Sequence, residues 1–460
     1  MKILLVNPIS RNTSLSSPDL GMGYLAAALK RENHDARILD CVNERLSFKK
    51  FADLIRRLDF DVIGFKVFST DLSSARQSIA IAKRIRPEAK IILGGAHPSA
   101  FPGQVLRDFP EADYAFRGEA EKGLTALLRA LPNPDAAQEA KIPGLIWRNH
   151  DRVEINLPLF LEDLDSLGLP DWTAINPRAY PFRTSYLIPS KYVAPLLMTR
   201  GCPYPCTFCA CSSITGREIR AHSVDYILRE IRVLQSDFGI HDFCFMDDNF
   251  LILKDIVKDL CMRVIEENLD IRWSCLGIRL NLLDREILKL MEKSGCYLLT
   301  VGIESGSQRI LDHMKKNLTI ELITEKLNLI RRETKIRVIG NFMLGYPEET
   351  EADIEKTIRF AESLPLFGAN FFPFHPLPGT EIFDKLTRGG ELKIINWDAM
   401  GQDKIPYVPR GISRKRFTAL LRKAYLCFYA RPKAIFNILA SLRSPGRVLY
   451  LLQRIWRLLK

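Results

Sequence analysis

"RGCPYPCTFCAC", residues Arg200–Cys211, contains four of the chain's ten cysteines. The apolar run before it, Ala194–Thr199, predicts a β-strand, so these cysteines occupy a loop at the carboxyl end of that strand. Cys202, Cys206 and Cys209 are separated by three and then two residues. Zinc sites usually close with four ligands, whereas the other cysteines here are scattered singly. Three thiolates on one loop instead suit three irons of a four-iron four-sulfur cluster and leave its fourth iron open.

Cysteine usage and the N-terminus predict a reducing, cytoplasmic location. Most cysteines lie singly in apolar sequence, as expected where thiols pack as small hydrophobic side chains and disulfides are disfavoured. The stretch "MKILLVNPIS" has too short an apolar run for a secretory signal and no small-residue cleavage site. The uncharged stretch Ser363–Thr380 contains four prolines, so we expect no transmembrane helix there.

Five further apolar strands follow the cysteine loop, with amphipathic helices between them. They are predicted at Asp242–Asp247, Arg272–Ile278, Tyr297–Glu304, Arg337–Gly345 and Ala369–Phe374. Six successive strand–helix units predict a partial or full parallel barrel. Functional residues of such barrels lie at the carboxyl ends of the strands, where the motifs of this segment also fall.

The N-terminal part of the chain alternates strands and helices in the same way. Strands are predicted at Lys2–Pro8, Asp35–Asp40, Asp61–Phe68, Lys90–Gly95 and Ala112–Gly118. Near-continuous apolar strands that alternate with helices predict a doubly wound, Rossmann-like parallel sheet. We therefore expect an α/β protein in four segments: a Rossmann-like domain (1–135), a connecting segment (136–190), a barrel (191–400) and a helical C-terminal region (401–460).

The cysteine spacing, the aromatic Phe208 and the position after the first barrel strand resemble the radical S-adenosylmethionine (SAM) superfamily. The resemblance implies that Cys202, Cys206 and Cys209 hold a four-iron four-sulfur cluster and are essential for catalysis, with Phe208 beside the cofactors. In that family the open iron binds the amino and carboxylate groups of SAM, and one electron cleaves SAM to a 5′-deoxyadenosyl radical. Cys211 lies outside the pattern and is interpreted as a bystander thiol.

Motifs at the next two strand ends agree with this resemblance. "FMDDNF" carries Asp247 and Asp248, and the resemblance implies that at least one of them binds the ammonium group of SAM. The alternative is that they cap the following helix. "GIRLN" places Arg279 after the third strand, where similar chains have an arginine that faces the site. The alternative for Arg279 is an ion pair with a surface carboxylate.

The last three strands of the predicted barrel end in further motifs of this family. "VGIESGSQRIL" implies that Glu304 and Ser305 lie near the ribose or the methionine end of SAM. "GYPEET" places Gly345 and Tyr346 in a loop whose backbone contacts adenine, and "HPLPGT" resembles the sixth-strand motif. The alternative is that these glycines and prolines only shape tight turns.

The N-terminal domain resembles the cobalamin-binding module that precedes the barrel in many radical SAM enzymes. The resemblance lies in "LGMGYLAAALKRENHDARILD", "ILGGAHPSAFP" and "FRGEAEKGL". Six residues at strand ends are assigned to cobalamin: Ser69, Thr70, Gly94, Gly95, Gly118 and Glu119. The loop after the first strand lacks the histidine that binds cobalt in many cobalamin proteins, so either cobalamin binds without it or the domain is an empty scaffold. His97 is interpreted as a polar turn residue rather than a cobalt ligand.

The C-terminal region is strongly basic. Residues 410–460 hold thirteen Lys or Arg and no Asp or Glu, so the other residues together carry −1 of the chain's net +12. A helix here would place Arg447, Arg454, Arg457 and Lys460 opposite a face of Leu, Ile and Trp. Such a helix suits a membrane interface. The alternative is packing on the open side of the barrel. Nucleic acid is not expected as a partner, because no module for stacking bases accompanies the charge.

The resemblance implies an enzyme that methylates an unactivated carbon with a four-iron four-sulfur cluster, SAM and cobalamin. The tail suggests a hydrophobic or lipid-like substrate and peripheral membrane contact, and an electron donor such as flavodoxin or ferredoxin is expected. Oxidative cyclisation without methyl transfer, as in the anaerobic magnesium-protoporphyrin cyclase, remains an alternative. A corrinoid or cluster sensor without turnover is a second one. A methylthiotransferase is excluded, because only Cys41 precedes Cys202 and a second three-cysteine cluster would need more.

Overall fold

In a computed structural model of the chain, the described residues are 1–10, 17–181, 188–392, 397, 400, 404–432 and 434–436. They form two sheets of mainly parallel strands in succession, followed by a C-terminal helix, which confirms the predicted α/β architecture. No helix within these ranges is long and apolar enough to cross a membrane.

The N-terminal sheet is covered by helices on both faces. Its strands are β1 (Lys2–Asn7), β2 (Asp35–Asp40), β3 (Val62–Lys66), β4 (Lys90–Gly94), β5 (Tyr114–Phe116), β6 (Leu145–Asn149) and β7 (Arg152–Ile155). Its helices are α1 (Leu20–Arg31), α2 (Phe48–Arg57), α3 (Leu72–Ile85), α4 (Ala96–Ala100), α5 (Pro102–Asp108), α6 (Glu121–Ala130) and α7 (Ala136–Glu139). One buried apolar cluster packs the sheet against α2, α3 and α5, and a second packs it against α1 and α6. This is the doubly wound arrangement that apolar strands require, because both faces of each strand are buried.

The strand order is β2-β1-β3-β4-β5-β6-β7, and the last two strands differ from the prediction. β6 and β7 form an antiparallel hairpin beside β5. The sheet therefore extends to Ile155, whereas the sequence placed these residues in an irregular connecting segment. The tight turn between the two strands uses His150 at a positive φ of 53°, which is uncommon for a non-glycine residue and carries no strong sequence signal.

The second sheet is an open parallel barrel of six strands. Its strands are β8 (Ala194–Leu196), β11 (Asp242–Phe245), β12 (Arg272–Ile278), β13 (Cys296–Glu304), β14 (Arg337–Leu344) and β15 (Gly368–Pro373), in the order β15-β14-β13-β12-β11-β8. A separate antiparallel pair, β9 (Thr199–Arg200) and β10 (Arg220–Ala221), flanks the cysteine loop. The helices are α8 (Val224–Phe238), α9 (Lys254–Glu266), α10 (Arg285–Lys293), α11 (Gln308–His313), α12 (Ile320–Glu333), α13 (Glu351–Ser363), α14 (Glu381–Arg388) and α15 (Arg414–Tyr429). All six predicted barrel strands are present.

Helix α15 covers the free edge of the barrel at β15. The Tyr429 hydroxyl accepts from the backbone N–H of Ala369 at 3.2 Å and donates to the carbonyl of the same residue at 2.8 Å. The Tyr425 hydroxyl does the same for Phe371, at 3.2 and 3.0 Å. These contacts satisfy backbone groups that an exposed edge strand would offer to another chain. The basic face predicted at residues 447–460 lies outside the described residues.

Candidate functional site at the domain interface

The cysteine loop (Gly201–Cys211, called the cluster loop below) leaves the barrel after β9. Cys202, Cys206 and Cys209 are all free thiols on this loop. Gly201 has φ of +96°, and a Cβ there would lie 2.0 Å from the carbonyl oxygen of Glu218. Glycine is therefore required, because any side chain would push the loop away from the segment that runs beside it.

A cationic group and a hydrogen-bond donor lie beside two of the three thiols. The Arg279 Nη1 lies 3.6 Å from the Cys206 Sγ, and its guanidinium lies 3.6 Å from the Tyr204 ring centroid. A hydrogen bond from Cys211 lowers the pKa of Cys209 to about 7, which favours the thiolate needed to bind iron. In the described part of the chain, no three His, Cys, Asp or Glu side chains already converge on one metal position. The fit to a cluster thus rests on three free thiols of one loop beside a buried arginine.

Arg279 is a buried residue beside the cluster loop. It is only 7% exposed, and its Nη2 donates to the Lys316 carbonyl. Its contacts are with the cluster loop and with this carbonyl, not with a surface carboxylate. It therefore ties the end of β12 to the thiol that it faces.

The loop after β14 is bonded directly to the cluster loop. The Tyr346 hydroxyl lies 2.9 Å from the Thr207 Oγ1, and it also donates to the His313 carbonyl at 3.3 Å. Gly345 has φ of +85°, and a Cβ there would lie 2.5 Å from the Phe417 ring on α15. The predicted adenine loop is thus fixed on one side by the cluster loop and on the other by the C-terminal helix.

The two adjacent aspartates have separate environments. Asp247 is buried, and its Oδ1 accepts from the Met198 N–H and from both the N–H and the hydroxyl of Thr199. Burial raises the pKa of Asp247 to about 7, against the effect of these hydrogen bonds. Asp248 is exposed, accepts from the Thr215 hydroxyl at 2.8 Å, and lines the cavity described below. Asp248 is consequently the one available to a ligand, while Asp247 joins two strand ends.

Glu304 and Ser305 also differ in accessibility. Glu304 has a positive φ of 69°, and its carboxylate accepts from the Lys316 Nζ at 2.8 Å. Ser305 is fully buried, and its hydroxyl lies 3.2 Å from that of Thr357 on α13. Glu304 therefore presents a charged group near the cluster loop, whereas Ser305 shapes the turn. Phe208 packs at the margin of an apolar cluster that includes Tyr346.

A cavity of about 290 Å³ lies between the two domains. Four of the residues assigned to cobalamin line it: Gly94, Gly95, Gly118 and Glu119. It extends along the sheet face past Leu5 and Ile92, and Thr215 and Asp248 of the barrel segment form its other wall. No atom lies within 4 Å of where a Cβ of Gly94 would be, so the backbone there faces open space. Bare backbone and an apolar wall are suited to a large, mostly apolar cofactor.

The other two residues assigned to cobalamin do not line this cavity. The Ser69 hydroxyl lies 2.9 Å from the His97 Nδ1, and Thr70 follows it in the same short helical turn. His97 is fully buried in α4, not on an exposed turn, and burial lowers its pKa to about 4. It is not a residue of the cavity wall.

Four charged residues at the cavity edge escaped the sequence analysis as a group. Glu119, Glu121, Arg200 and Arg220, called the interdomain ion-pair network below, have side chains only 5–9% exposed. The motif "EAE" and the arginine before the cysteines were visible in the sequence. Their pairing was not, because about 80–100 residues separate the partners.

Comparison with known proteins identifies both domains. Residues 7–128 match the B12 binding domain family, and residues 196–361 match the radical SAM superfamily. An uncharacterised methyltransferase of Pyrococcus horikoshii is 31% identical over 451 residues, which cover 95% of this chain and 94% of that protein. The chain belongs to the cobalamin-dependent radical SAM enzymes.

Two further proteins support this assignment. The anaerobic magnesium-protoporphyrin IX monomethyl ester cyclase of Cereibacter sphaeroides is 26% identical over 453 residues, covering 95% of this chain and 71% of that protein. A solved structure of the radical SAM methyltransferase TsrM from Kitasatospora setae, with cobalamin and a [4Fe-4S] cluster bound, has a TM-score of 0.69 at 19% identity. The match covers 93% of this chain and 85% of that one, and at this identity it supports the fold.

The cofactors of this radical SAM enzyme are a four-iron four-sulfur cluster, SAM and cobalamin. The cluster loop and the cavity are close neighbours, because Thr215 lines the cavity and its hydroxyl donates to the Cys211 carbonyl at 3.3 Å. A ligand in the cavity therefore lies next to the segment that carries the three thiols.

Proposed function

We propose that this radical SAM enzyme transfers a methyl group to an unactivated carbon of a hydrophobic, lipid-like substrate. The observation that carries the substrate class is the apolar lining of the concave face of the barrel. Alternate residues of a strand point to opposite faces. Phe245, Trp273, Phe342 and Phe371 belong to the buried core under the helices, so their neighbours in sequence face the concave side.

The opposite face of these strands carries the apolar residues Met246, Leu276, Met343 and Phe372, and it also carries the polar residues Ser274, Asn341 and Asn370. Met246 is 42% exposed and Leu276 is 43% exposed, which is unusual for such side chains at the centre of a domain. Met343 packs against the same apolar cluster as Phe208 of the cluster loop. These exposed side chains favour an apolar substrate, because covering exposed apolar surface gains about 25 cal/mol per Å².

Two polar side chains of the concave face are hydrogen-bonded to each other. Asn370 Nδ2 donates to Asn341 Oδ1 at 3.0 Å, where the two residues are neighbours across β14 and β15. The pair offers one remaining set of amide donors and acceptors beside the apolar side chains. It would orient a substrate that carries a single polar group.

The residues near the cysteines have separate positioning roles in this proposal. Bound cluster and SAM supply the radical, and cobalamin supplies the methyl group. Cys202, Cys206 and Cys209 hold the iron, and Arg279 stabilises the charge of the Cys206 thiolate. Asp248 is placed to accept from the ammonium group of SAM. The backbone after Gly345 offers its amides to adenine, while Tyr346 fixes that loop.

Methyl transfer is favoured over cyclisation by the relative from Pyrococcus, but the cyclase relative keeps cyclisation as the second candidate. The test is to supply anaerobically reconstituted protein, with flavodoxin or ferredoxin as electron donor, with trideuteromethyl-SAM. It is incubated separately with a membrane-lipid extract and a water-soluble extract of the source cells. A lipid product heavier by one CD₃ group supports the proposal. Label only in a water-soluble product would contradict the substrate class, and an unlabelled new product would favour cyclisation.

Exposed apolar side chains also support membrane contact through the C-terminal region. Leu426, Ile435 and Phe436 are 59%, 44% and 70% exposed, and they precede the basic segment at the C-terminus. Exposed apolar side chains beside Lys and Arg suit an anionic lipid surface. Such contact would bring the enzyme to the lipid surface where a lipid substrate resides.

A further inference from the structure

The interdomain ion-pair network joins the cobalamin domain to the start of the cluster loop. Arg200 Nη1 lies 2.9 Å from Glu121 Oε1 and 3.3 Å from Glu119 Oε2. Arg220 Nη2 lies 2.7 Å from Glu119 Oε1, and its Nη1 donates to the other oxygen of that carboxylate at 2.9 Å. The two glutamates follow β5 in the first domain. The two arginines are opposite each other in the backbone register of the antiparallel strands β9 and β10.

The four charges balance within one buried group. Although burial acts to lower it, the charges of Glu121 and Glu119 raise the pKa of Arg200 above its ordinary value. The Arg200 guanidinium also lies 5.0 Å from the Tyr24 ring centroid on α1. Breaking a buried pair leaves an uncompensated charge, so the two domains are held in one relative position at this point.

This network lies between the two cofactor sites. Glu119, Glu121, Arg200 and Tyr24 all line the cavity. Arg200 is also only two residues before Cys202, and the intervening Gly201 is held against Glu218. A short, tightly packed connection therefore joins the acids at the cavity wall to the first cluster thiol.

We propose that the interdomain ion-pair network couples the two cofactor sites, so that cobalamin in the cavity stabilises the cluster loop. Filling the cavity fixes the wall that carries Glu119 and Glu121, and these acids hold Arg200 beside the loop. By thermodynamic reciprocity, the bound iron–sulfur cluster raises the affinity for cobalamin by the same factor. Arg200 is a positioning residue in this account, and the coupling does not depend on which reaction the enzyme performs.

The test measures iron loss to a chelator from reconstituted full-length protein, with and without saturating hydroxocobalamin. In the wild type, hydroxocobalamin should slow iron loss by about fivefold or more, the usual lower range of such coupling. Hydroxocobalamin titrations by absorbance should show a lower dissociation constant after cluster loading than before it; the two effects share a direction but not a size, because reciprocity applies to binding free energies and not to rates. Glu121→Gln should bring both ratios close to one, and Arg200→Lys, which keeps the charge but loses the planar fork, should give intermediate ratios.

The ratio separates coupling from a general loss of stability, because a weakened fold speeds iron loss in both states. Glu32→Gln is the matched control: it breaks the exposed ion pair of Glu32 with Arg129 in the same domain and should leave both ratios at the wild-type value. If Glu121→Gln is insoluble, the two ratios measured for Arg200→Lys alone decide whether the network couples the sites. Wild-type ratios of one, or wild-type ratios retained in the variants, would overturn the proposal.

Discussion

Tyr346 and Thr207 link the fifth-strand loop to the cluster loop through a hydrogen bond of 2.9 Å between their hydroxyl groups. Thr207 stands directly after Cys206, so this bond holds the loop in the middle of the cysteine motif. We predict that Tyr346→Phe lowers cluster retention rather than assembly, because one neutral hydrogen bond contributes about 1 kcal/mol. Iron loss to a chelator should be about fivefold faster.

Tyr297→Phe is the control for that variant. The Tyr297 hydroxyl donates to Asp242 at 3.0 Å at the amino end of the barrel strands, away from the cysteines. Tyr297→Phe removes a tyrosine hydroxyl, as Tyr346→Phe does, and should not alter the rate of iron loss. Equal effects of the two substitutions would show that Tyr346 acts only through overall stability.

Arg279 should be needed for SAM cleavage. Arg279→Leu removes the charge beside Cys206 and the stacking on Tyr204. We expect 5′-deoxyadenosine formation with dithionite to fall by about tenfold or more, the effect of losing roughly 1.4 kcal/mol. Arg285→Leu, which breaks an exposed ion pair with Glu333 on the outer helices, should leave it unchanged. An unaffected rate in Arg279→Leu would remove this arginine from the site.

A substitution at Leu276 tests whether the substrate binds on the concave face of the barrel. Leu276→Glu places a carboxylate on the concave face, and it should abolish label transfer from SAM to lipid while 5′-deoxyadenosine formation stays within about twofold. Leu426→Glu makes the same substitution on the exposed side of α15 and should leave label transfer by detergent-dispersed substrate intact. If Leu276→Glu still modifies the lipid fraction, the substrate does not occupy this face.

The positions of most strands along the chain could be predicted, because apolar runs and their spacing determine which segments enter a parallel sheet. The side-chain contacts within the site could not be predicted. Asp247 and Asp248 are adjacent in sequence, and their separate roles depend on Gly277. A Cβ at Gly277 would lie 1.9 Å from the Asp247 carbonyl oxygen, so the third strand passes against this residue and buries it.

The β6–β7 hairpin and the interdomain ion-pair network escaped prediction for related reasons. The hairpin strands have five and four residues, too short for periodicity to distinguish them from a loop. Arg200 and Glu121 are polar residues that a sequence places on the surface by default. Only the packing of one domain on the other buries them.

The C-terminal region should bind anionic membranes. Full-length protein is expected to co-sediment with vesicles that contain phosphatidylserine and not with phosphatidylcholine alone, since each Lys or Arg near such a surface gains about 1 kcal/mol. High salt should release it. The double variant Ile435→Glu/Phe436→Glu should bind more weakly than Met262→Glu, a control at an exposed apolar position on α9. Equal binding to both vesicle types would argue against this contact.

Glu230 should make stability depend on pH. It is fully buried on α8, burial raises its pKa to about 8, and its Oε1 accepts from the Trp172 Nε1 at 3.1 Å. Because the folded state holds this proton more tightly than the unfolded state, its contribution is complete below about pH 4.5 and is lost as the pH rises toward 8. Glu230→Gln keeps the acceptor for Trp172 but cannot ionise, so the variant should gain in melting temperature relative to the wild type across this interval. The full span is at most about 5 kcal/mol. Glu32→Gln should instead slightly lower the melting temperature relative to the wild type. The hydrogen bond from Arg129 lowers the pKa of Glu32, so the ionised carboxylate stabilises the fold and the substitution removes that contribution. Parallel pH profiles for Glu230→Gln and the wild type would show that Glu230 does not titrate in this range.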